Sequence, residues 1–368
     1  MNRIVISGYY GFKNAGDEAM LAAMIEVLSD IDPAIEITVI SASPGDTKQR
    51  HGVKAVYWLN YAAIARSLRV ADLLISGGGS LLQNVTSGRS LYYYMSILML
   101  AKGLGTPVML YAQGIGPICG AVAERMMRWI GDRADLITVR DEGSLGELAR
   151  LGIRKPVAHV TADPVLAIHP VGKQAGRAIF RRHALEGAKP MIGISVREWR
   201  GWTHYKAVVA ETADRIAEEL GARIVFLPMQ FPEDVAAAEK IAARMRQKAT
   251  VLQEEYTTAE LLSMVGNLDL LLAVRLHALI FAGVMGVPMI GMSYDPKVDR
   301  FLTSIGETSV GDLQQITTEA LLERVRSKWR ERALFSDAKR ERLARLRDAA
   351  FYNAELAMQL IGAKKSAR

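Results

Sequence analysis

The chain has 368 residues, half of them apolar, a formal charge of +7 and a single cysteine. That length is long for one core, so two domains are expected, and the 31 glycines and 12 prolines punctuate apolar runs, which excludes a low-complexity chain. Cys119 alone excludes an internal disulfide and a thiolate metal cluster, fits a reducing compartment, and makes a cytoplasmic location the expectation.

The start, 1–8, passes straight into a short apolar run and reads as a first strand, over 3–8, rather than as a signal peptide. A helix is expected over 16–29, strands over 36–41 and 73–76, a helix over 89–103 and a strand over 107–113. There follow a helix after Cys119, a strand over 136–139, and a helix opened by Asp141 as N-cap. Periodicity lapses after the Asp163-Pro164 pair, and a fresh apolar strand begins at 191–196, so the boundary between halves is placed near 170–189. The second half repeats the alternation: helix 205–220, strand 223–227, helices 233–247 and 258–266, strand 268–273. The apolar run 270–292 is broken by Arg275, His277, Gly283, Gly286 and Pro288 and reads as strand, turn, helix and strand rather than a membrane span.

Strands alternating with helices imply parallel sheets, and the expected fold is α/β, two Rossmann-like lobes facing a cleft. The divisions are 1–170, 171–316, and a set of C-terminal helices over 317–368 packing on the body. From 323 to 368 there are 13 Lys or Arg against 6 Asp or Glu, which equals the whole net charge. Leu343, Leu346, Ala350, Ala354, Ala357 and Leu360 recur at helical spacing, so the helix packs by that stripe and turns its basic face outward. An anionic membrane surface is one partner for such a face; nucleic acid is not expected without interleaved aromatics.

In open parallel sheets ligands bind beyond the carboxyl ends of strands, so the loops there carry the candidate residues. The first, from Gly8 to Glu18, offers Tyr10, Phe12, Asn14 and Asp17, aromatic faces beside polar groups that suit a sugar. The same residues also suit a core role, with Tyr10 and Phe12 packing and Asp17 capping. The second, Ser76 to Asn84, presents three glycines with Ser80 and Gln83. Arg275-Leu276-His277 follows a wholly apolar strand, while Arg197 and Lys297 follow two others. Three cations without matched carboxylates point to an anionic ligand, unless Glu198 pairs with Arg197 and Asp295 with Lys297.

The ordered strings GYYGFKNAGDEA, GGGSLLQN, YAQGIGP, RDEGS, the Asp163-Pro164 pair, RLHALIFA and SYDPKV, spread over about 3–310, resemble the polysaccharide pyruvyl transferase family, and in particular its bacterial cell-wall branch. The resemblance implies a fold like that of B-type glycosyltransferases and transfer of pyruvate from phosphoenolpyruvate onto two hydroxyls of one sugar. A cyclic ketal forms and phosphate is released. It implies further that Arg197, Arg275, Leu276 and His277 surround the donor phosphate, with Lys297 on its carboxylate or phosphate and with His277 and Arg275 as catalytic groups. Tyr10, Phe12, Asn14, Asp17, Ser80 and Gln83 then face the acceptor, a lipid-linked β-N-acetylmannosaminyl unit; a peripheral contact with the cytoplasmic membrane face rests on the basic tail alone, whose plainer reading is a solvated helix face. Neither a metal nor a resident cofactor is expected, phosphoenolpyruvate being the donor substrate. Two alternatives stay open: a B-type glycosyltransferase or sugar-nucleotide epimerase, and a non-catalytic anion- or polysaccharide-binding protein.

Overall fold

Val, Ile and Leu runs closed by Gly, Asp or Ser become parallel strands buried on both faces, and the amphipathic segments between them become covering helices. This is the arrangement of the computed structural model, which describes residues 1–85, 88–332 and 337–366. The chain groups into two units, one of 1–12, 17–168 and 346–368, the other of 13–16 and 169–345.

The first unit runs β1 Arg3–Ser7, α1 Ala15–Ile31, β2 Glu36–Ser41, α2 Pro44–His51, β3 Lys54–Tyr57, α3 Tyr61–Arg69 and β4 Leu73–Gly77. It continues with α4 Gly88–Gly103, β5 Val108–Gln113, α5 Ala121–Gly131, β6 Leu136–Val139, α6 Glu142–Leu151 and β7 Ala158–Val160. Asp141 caps α6 as expected, its side chain accepting from the Ser144 N–H. The sheet order is β3-β2-β1-β4-β5-β6-β7, all parallel. Helices α3, α4, α5 and α6 pack side by side, and their apolar faces share one buried cluster with the sheet.

The second unit holds α7 Gln174–Arg182, β8 Met191–Ser195, α8 His204–Leu220, β9 Arg223–Phe226, α9 Glu233–Ala242, β10 Ala249–Val251 and α10 Thr258–Val265. After these come β11 Leu270–Ala273, α11 Leu276–Met285, β12 Met289–Gly291, α12 Pro296–Ser304 and α13 Thr318–Arg330. Its parallel sheet has the order β10-β9-β8-β11-β12. In each sheet the strand order reverses once, between β1 and β4 and between β8 and β11, which is where ligand loops of such sheets belong.

The basic tail does not stay together as one appendix. Helix α13 groups with the second unit, and α14, Asp337–Ser366, is shared: its residues up to 345 group with the second unit and those from 346 with the first. In the first unit α14 buries Ala350, Ala354, Ala357 and Ile361. Asn353 there accepts from the hydroxyls of Thr138 at 2.5 Å and Thr161 at 2.9 Å.

Candidate functional site

In the second unit the register sets Ser195, Ala273 and Gly291 in one row across β8, β11 and β12. The residues just beyond that row, Arg197, Arg275 to His277 and Tyr294 to Lys297, therefore emerge at one end of the sheet. Arg197 donates from Nη1 to the Tyr294 hydroxyl at 2.6 Å, and its guanidinium lies 4.5 Å from the Trp199 ring centroid and 4.8 Å from that of Tyr294. Lys297 Nζ stands 5.4 Å from the same Tyr294 centroid. Burial alone would raise the Tyr294 phenol, yet Lys297, Arg197 and Arg275 outweigh it and hold the group below its ordinary value. Burial and the like charge of Arg275 likewise lower Arg197. The local potential is positive.

Arg275 corrects the premise of unmatched cations. Its Nε donates to Asp234 Oδ2 at 2.9 Å, its Nη2 donates to Asp234 Oδ1, and Nη2 also donates to Gln230 Oε1 at 3.2 Å. Asp234, in the first turn of α9, is 1% exposed and also accepts from the N–H groups of Met229 and Gln230 at 3.1 and 2.9 Å. A buried guanidinium is thus neutralised within the protein. Glu198 does not pair with Arg197 but takes Lys206 at 2.7 Å and Lys240 at 3.0 Å, whereas Lys297 does face Asp295 at 3.4 Å.

Arg275 is the N-cap of α11 and its side chain makes no cap bond, while Asp295 caps α12 by accepting from the Lys297 N–H. The first turn of α11, which holds Leu276 and His277, therefore takes no cap bond from the Arg275 side chain and starts beside Arg197 and Lys297, an arrangement suited to a phosphate. His277 lies in that turn. Residues 13–16 pack here too. Asn14 pairs with Gln230 in an antiparallel bridge, the Ala15 N–H donates to the Met229 carbonyl at 2.7 Å, and Lys13 pairs with Glu255 at 3.1 Å. At Gly16 a Cβ would come within 2.1 Å of His277 Nδ1, so only glycine fits against that ring. Asn14, read from the sequence as acceptor-facing, thus belongs to the group around Gln230 and Arg275.

The first unit divides its candidates. Tyr10 is 1% exposed and donates its hydroxyl to the Gly77 carbonyl at 2.9 Å, so it is a core side chain and not a ligand contact. Burial, with Asp17 and Glu18, raises its phenol well above the ordinary value. Phe12 is half-buried and stacks on Tyr9, with ring centroids 4.3 Å apart and planes 8° from parallel, while Trp58 meets it edge-on at 5.9 Å. Asp17 sits in the first turn of α1 near Gly79. Ser80 accepts from Arg140 Nη2 at 3.0 Å, Arg140 pairs with Asp163 at 3.4 Å, and Gln83 accepts from the Val85 N–H at 2.8 Å. Sequence reasoning assigned nothing to Tyr9, Trp58, Arg140, Asp163, Asp234 or Tyr294; the RDEGS string and the Asp163-Pro164 pair were the available signals for two of them.

Two parallel sheets, each with one reversal of strand order, define an α/β protein with the fold of B-type glycosyltransferases and UDP-GlcNAc 2-epimerases. The structure of Anabaena Alr3699/HepE in complex with UDP matches at a TM-score of 0.66 and 12% identity, covering 98% of this chain and 99% of that one. UDP-GlcNAc 2-epimerase from Neisseria meningitidis bound to UDP-GlcNAc matches at 0.64 and 11%, over 98% and 100%. A glycosyltransferase from Rickettsia africae ESF-5 matches at 0.61 and 12%, over 100% and 97%. At such identities the likeness is one of fold. No curated protein sequence matches the chain. The family model of polysaccharide pyruvyl transferase matches residues 14–296, and the chain belongs to that family. It is a pyruvyl transferase enzyme, which sets aside a non-catalytic binding role.

Proposed function

We propose that the enzyme transfers pyruvate from phosphoenolpyruvate to two hydroxyls of one sugar, with the lipid-linked β-N-acetylmannosaminyl unit of a cell-wall polysaccharide precursor as acceptor, at the cytoplasmic face of the membrane. What supports this most is the N-terminus of α11, where the Arg275 side chain makes no cap bond, lying beside Arg197 and Lys297 with the Tyr294 phenol held below its ordinary value. Phosphoenolpyruvate carries two anionic groups. Arg197, the N–H groups of Leu276 and His277, and Lys297 are assigned to them, and Arg275, braced by Asp234, fixes the strand end that presents them. The acceptor is assigned to Phe12, Asp17, Ser80 and Gln83.

In the proposed reaction His277 as imidazolium protonates the methylene carbon of the donor, and the adjacent carbon gains oxocarbenium character. One sugar hydroxyl adds there and gives up its proton. The second hydroxyl then displaces the phosphate, which leaves with its electron pair as the ketal closes and the second proton is released. Fixed donors at the phosphate stabilise the charge that develops as it departs. No step is routed through a metal or a bound cofactor.

The test is phosphate release from phosphoenolpyruvate with and without a β-N-acetylmannosaminyl acceptor, comparing the wild type with His277→Ala and Lys297→Ala. Acceptor-dependent release that both substitutions abolish is the expected result. No release with any such acceptor, together with thermal stabilisation by a uridine nucleotide, sinks the proposal in favour of sugar-nucleotide chemistry.

A further inference from the structure

The outer side of the α3, α4 and α5 layer differs from an ordinary solvated surface. Just past β3, Tyr57, Leu59 and Tyr61 are 46%, 52% and 41% exposed, and on α4 Tyr92 is 43% exposed. The segment that carries the first three is fastened to α4: the Tyr93 hydroxyl donates to the Trp58 carbonyl at 3.0 Å, and the Tyr61 and Ser96 hydroxyls bond at 2.7 Å. Rings with an apolar body and a polar tip therefore line one rim, at the carboxyl ends of the strands of the first unit.

Charge on this layer is one-sided. Between 54 and 133 the chain has eight Lys or Arg, of which Lys54 and Lys102 pair with Glu36 and Asp135 outside the segment, and three Asp or Glu, and α3 and α4 have no acidic residue. The three acids are engaged elsewhere. Asp72 accepts from the Arg3 N–H at 2.9 Å and pairs with Lys365 at 3.3 Å, Glu124 pairs with Arg150 at 2.9 Å, and Asp132 accepts from the Arg154 N–H at 2.9 Å. Arg66, Arg69, Arg89 and Arg125 are exposed on the three helices. The basic tail offers less, because Lys339, Lys364 and Lys365 are bound by Glu307, Asp135 and Asp72.

We propose that the 57–61 loop and the outer side of α3, α4 and α5 form a docking surface for an anionic phospholipid bilayer. Cations without neighbouring anions complement phosphate headgroups, and tyrosines and leucine at the rim suit the interfacial zone, where ring bodies leave water while hydroxyls stay wet. Among the described residues no helix is long and apolar enough to cross a membrane, so the association is peripheral. The inference rests on the lipid-linked acceptor of the proposed function for its purpose, since a bilayer at this rim presents such an acceptor to the loop that carries Phe12.

The test is co-sedimentation of the full chain with vesicles of phosphatidylcholine alone or with about one-third phosphatidylglycerol. The wild type is expected to bind the anionic vesicles and not the neutral ones. Leu59→Glu/Tyr92→Glu and Arg66→Glu/Arg89→Glu should each weaken binding about tenfold or more, with unchanged melting, while the tail variant Arg340→Glu/Arg345→Glu binds as the wild type does. Failure of the wild type to bind, equal binding to neutral vesicles, undiminished binding by both face variants, or loss in the tail variant alone overturns the inference. Binding is read without turnover, so a protein that docks but releases no phosphate with a lipid-linked acceptor refutes the acceptor and leaves the docking surface standing.

Discussion

Replacing Asp234 by alanine should destabilise the second unit more than replacing its partner Arg275. The carboxylate of Asp234 receives both Arg275 donors and the N–H groups of Met229 and Gln230, all at a site 1% exposed. Its removal leaves a buried guanidinium without its anion, worth about 3–5 kcal/mol, and two backbone donors whose desolvation adds roughly 1–3 kcal/mol each where water does not reach them. Arg275→Ala leaves Asp234 still accepting from two N–H groups in the first turn of α9, so its loss should be about 2–3 kcal/mol. Taking the low end, about 5 kcal/mol at roughly 2–4 °C per kcal/mol lowers the Asp234→Ala transition by about 10 °C or more. The double variant should be less destabilised than the sum of the singles, because the stranded charge is gone. Calorimetry that resolves the transition of each unit is the assay. A melting point for Asp234→Ala within about 2 °C of the wild type, or strict additivity in the double variant, would refute the reasoning.

Spectrophotometric titration should find one phenol ionising below the ordinary tyrosine range, lost in Tyr294→Phe and moved upward in Lys297→Met. Because that folded-state value is depressed, its contribution to stability appears as pH rises through it and is complete only above the ordinary value of about 10. Glu307 is held low because Lys328 and Lys339 outweigh its burial, so it stabilises above the ordinary carboxylate value and the benefit fades as pH falls through its lowered one. Melting points of the wild type and Glu307→Gln should therefore differ near neutrality and converge in acid; parallel curves count against it. Gly16→Ala places a Cβ 2.1 Å from His277 Nδ1 and must turn the ring aside. Turnover should fall about a hundredfold with a modest change in melting, and a fully active variant would remove His277 from the chemistry.

How far the sequence could be read follows from burial. Strands β4, β5, β8 and β11 are buried on both faces, so they appear as unbroken apolar runs. Strands β3, β7 and β10 lie at sheet edges, are three or four residues long and half exposed, and carry no such run. The tail stripe through Ala350, Ala354 and Ala357 was legible as helical spacing, but not that Asn353 within it serves the hydroxyls of Thr138 and Thr161, about two hundred residues away in sequence. Arg197, Arg275, His277 and Lys297 were legible because each follows a strand. Asp234 was not, since an acid in a first helical turn looks like any other until β9 brings it to Arg275. Nor could loop position alone separate Tyr10 from Phe12: what buries Tyr10 is the Gly77 carbonyl at the end of β4.

The two arginines at the order reversal of the second sheet divide their work by their partners. Arg275 holds one carboxylate, that of Asp234, along its Nε–Nη2 edge, so its charge is met inside the protein and its geometry is fixed. Arg197 has instead the Tyr294 hydroxyl and two aromatic faces, which orient a guanidinium without cancelling its charge, and it bears the added repulsion of Arg275. The positive potential of the site therefore resides chiefly on Arg197 and the first turn of α11, with Lys297 shared with Asp295, rather than on the residue whose motif is most conspicuous. In the proposed reaction an arriving dianion would relieve the repulsion at Arg197 and compete with Asp295 for Lys297, whereas loss of Asp234 would strand the Arg275 guanidinium. Donor recognition by this group of residues in the proposed reaction consequently depends on Asp234 staying where it is, although that carboxylate would repel the donor if it faced it directly.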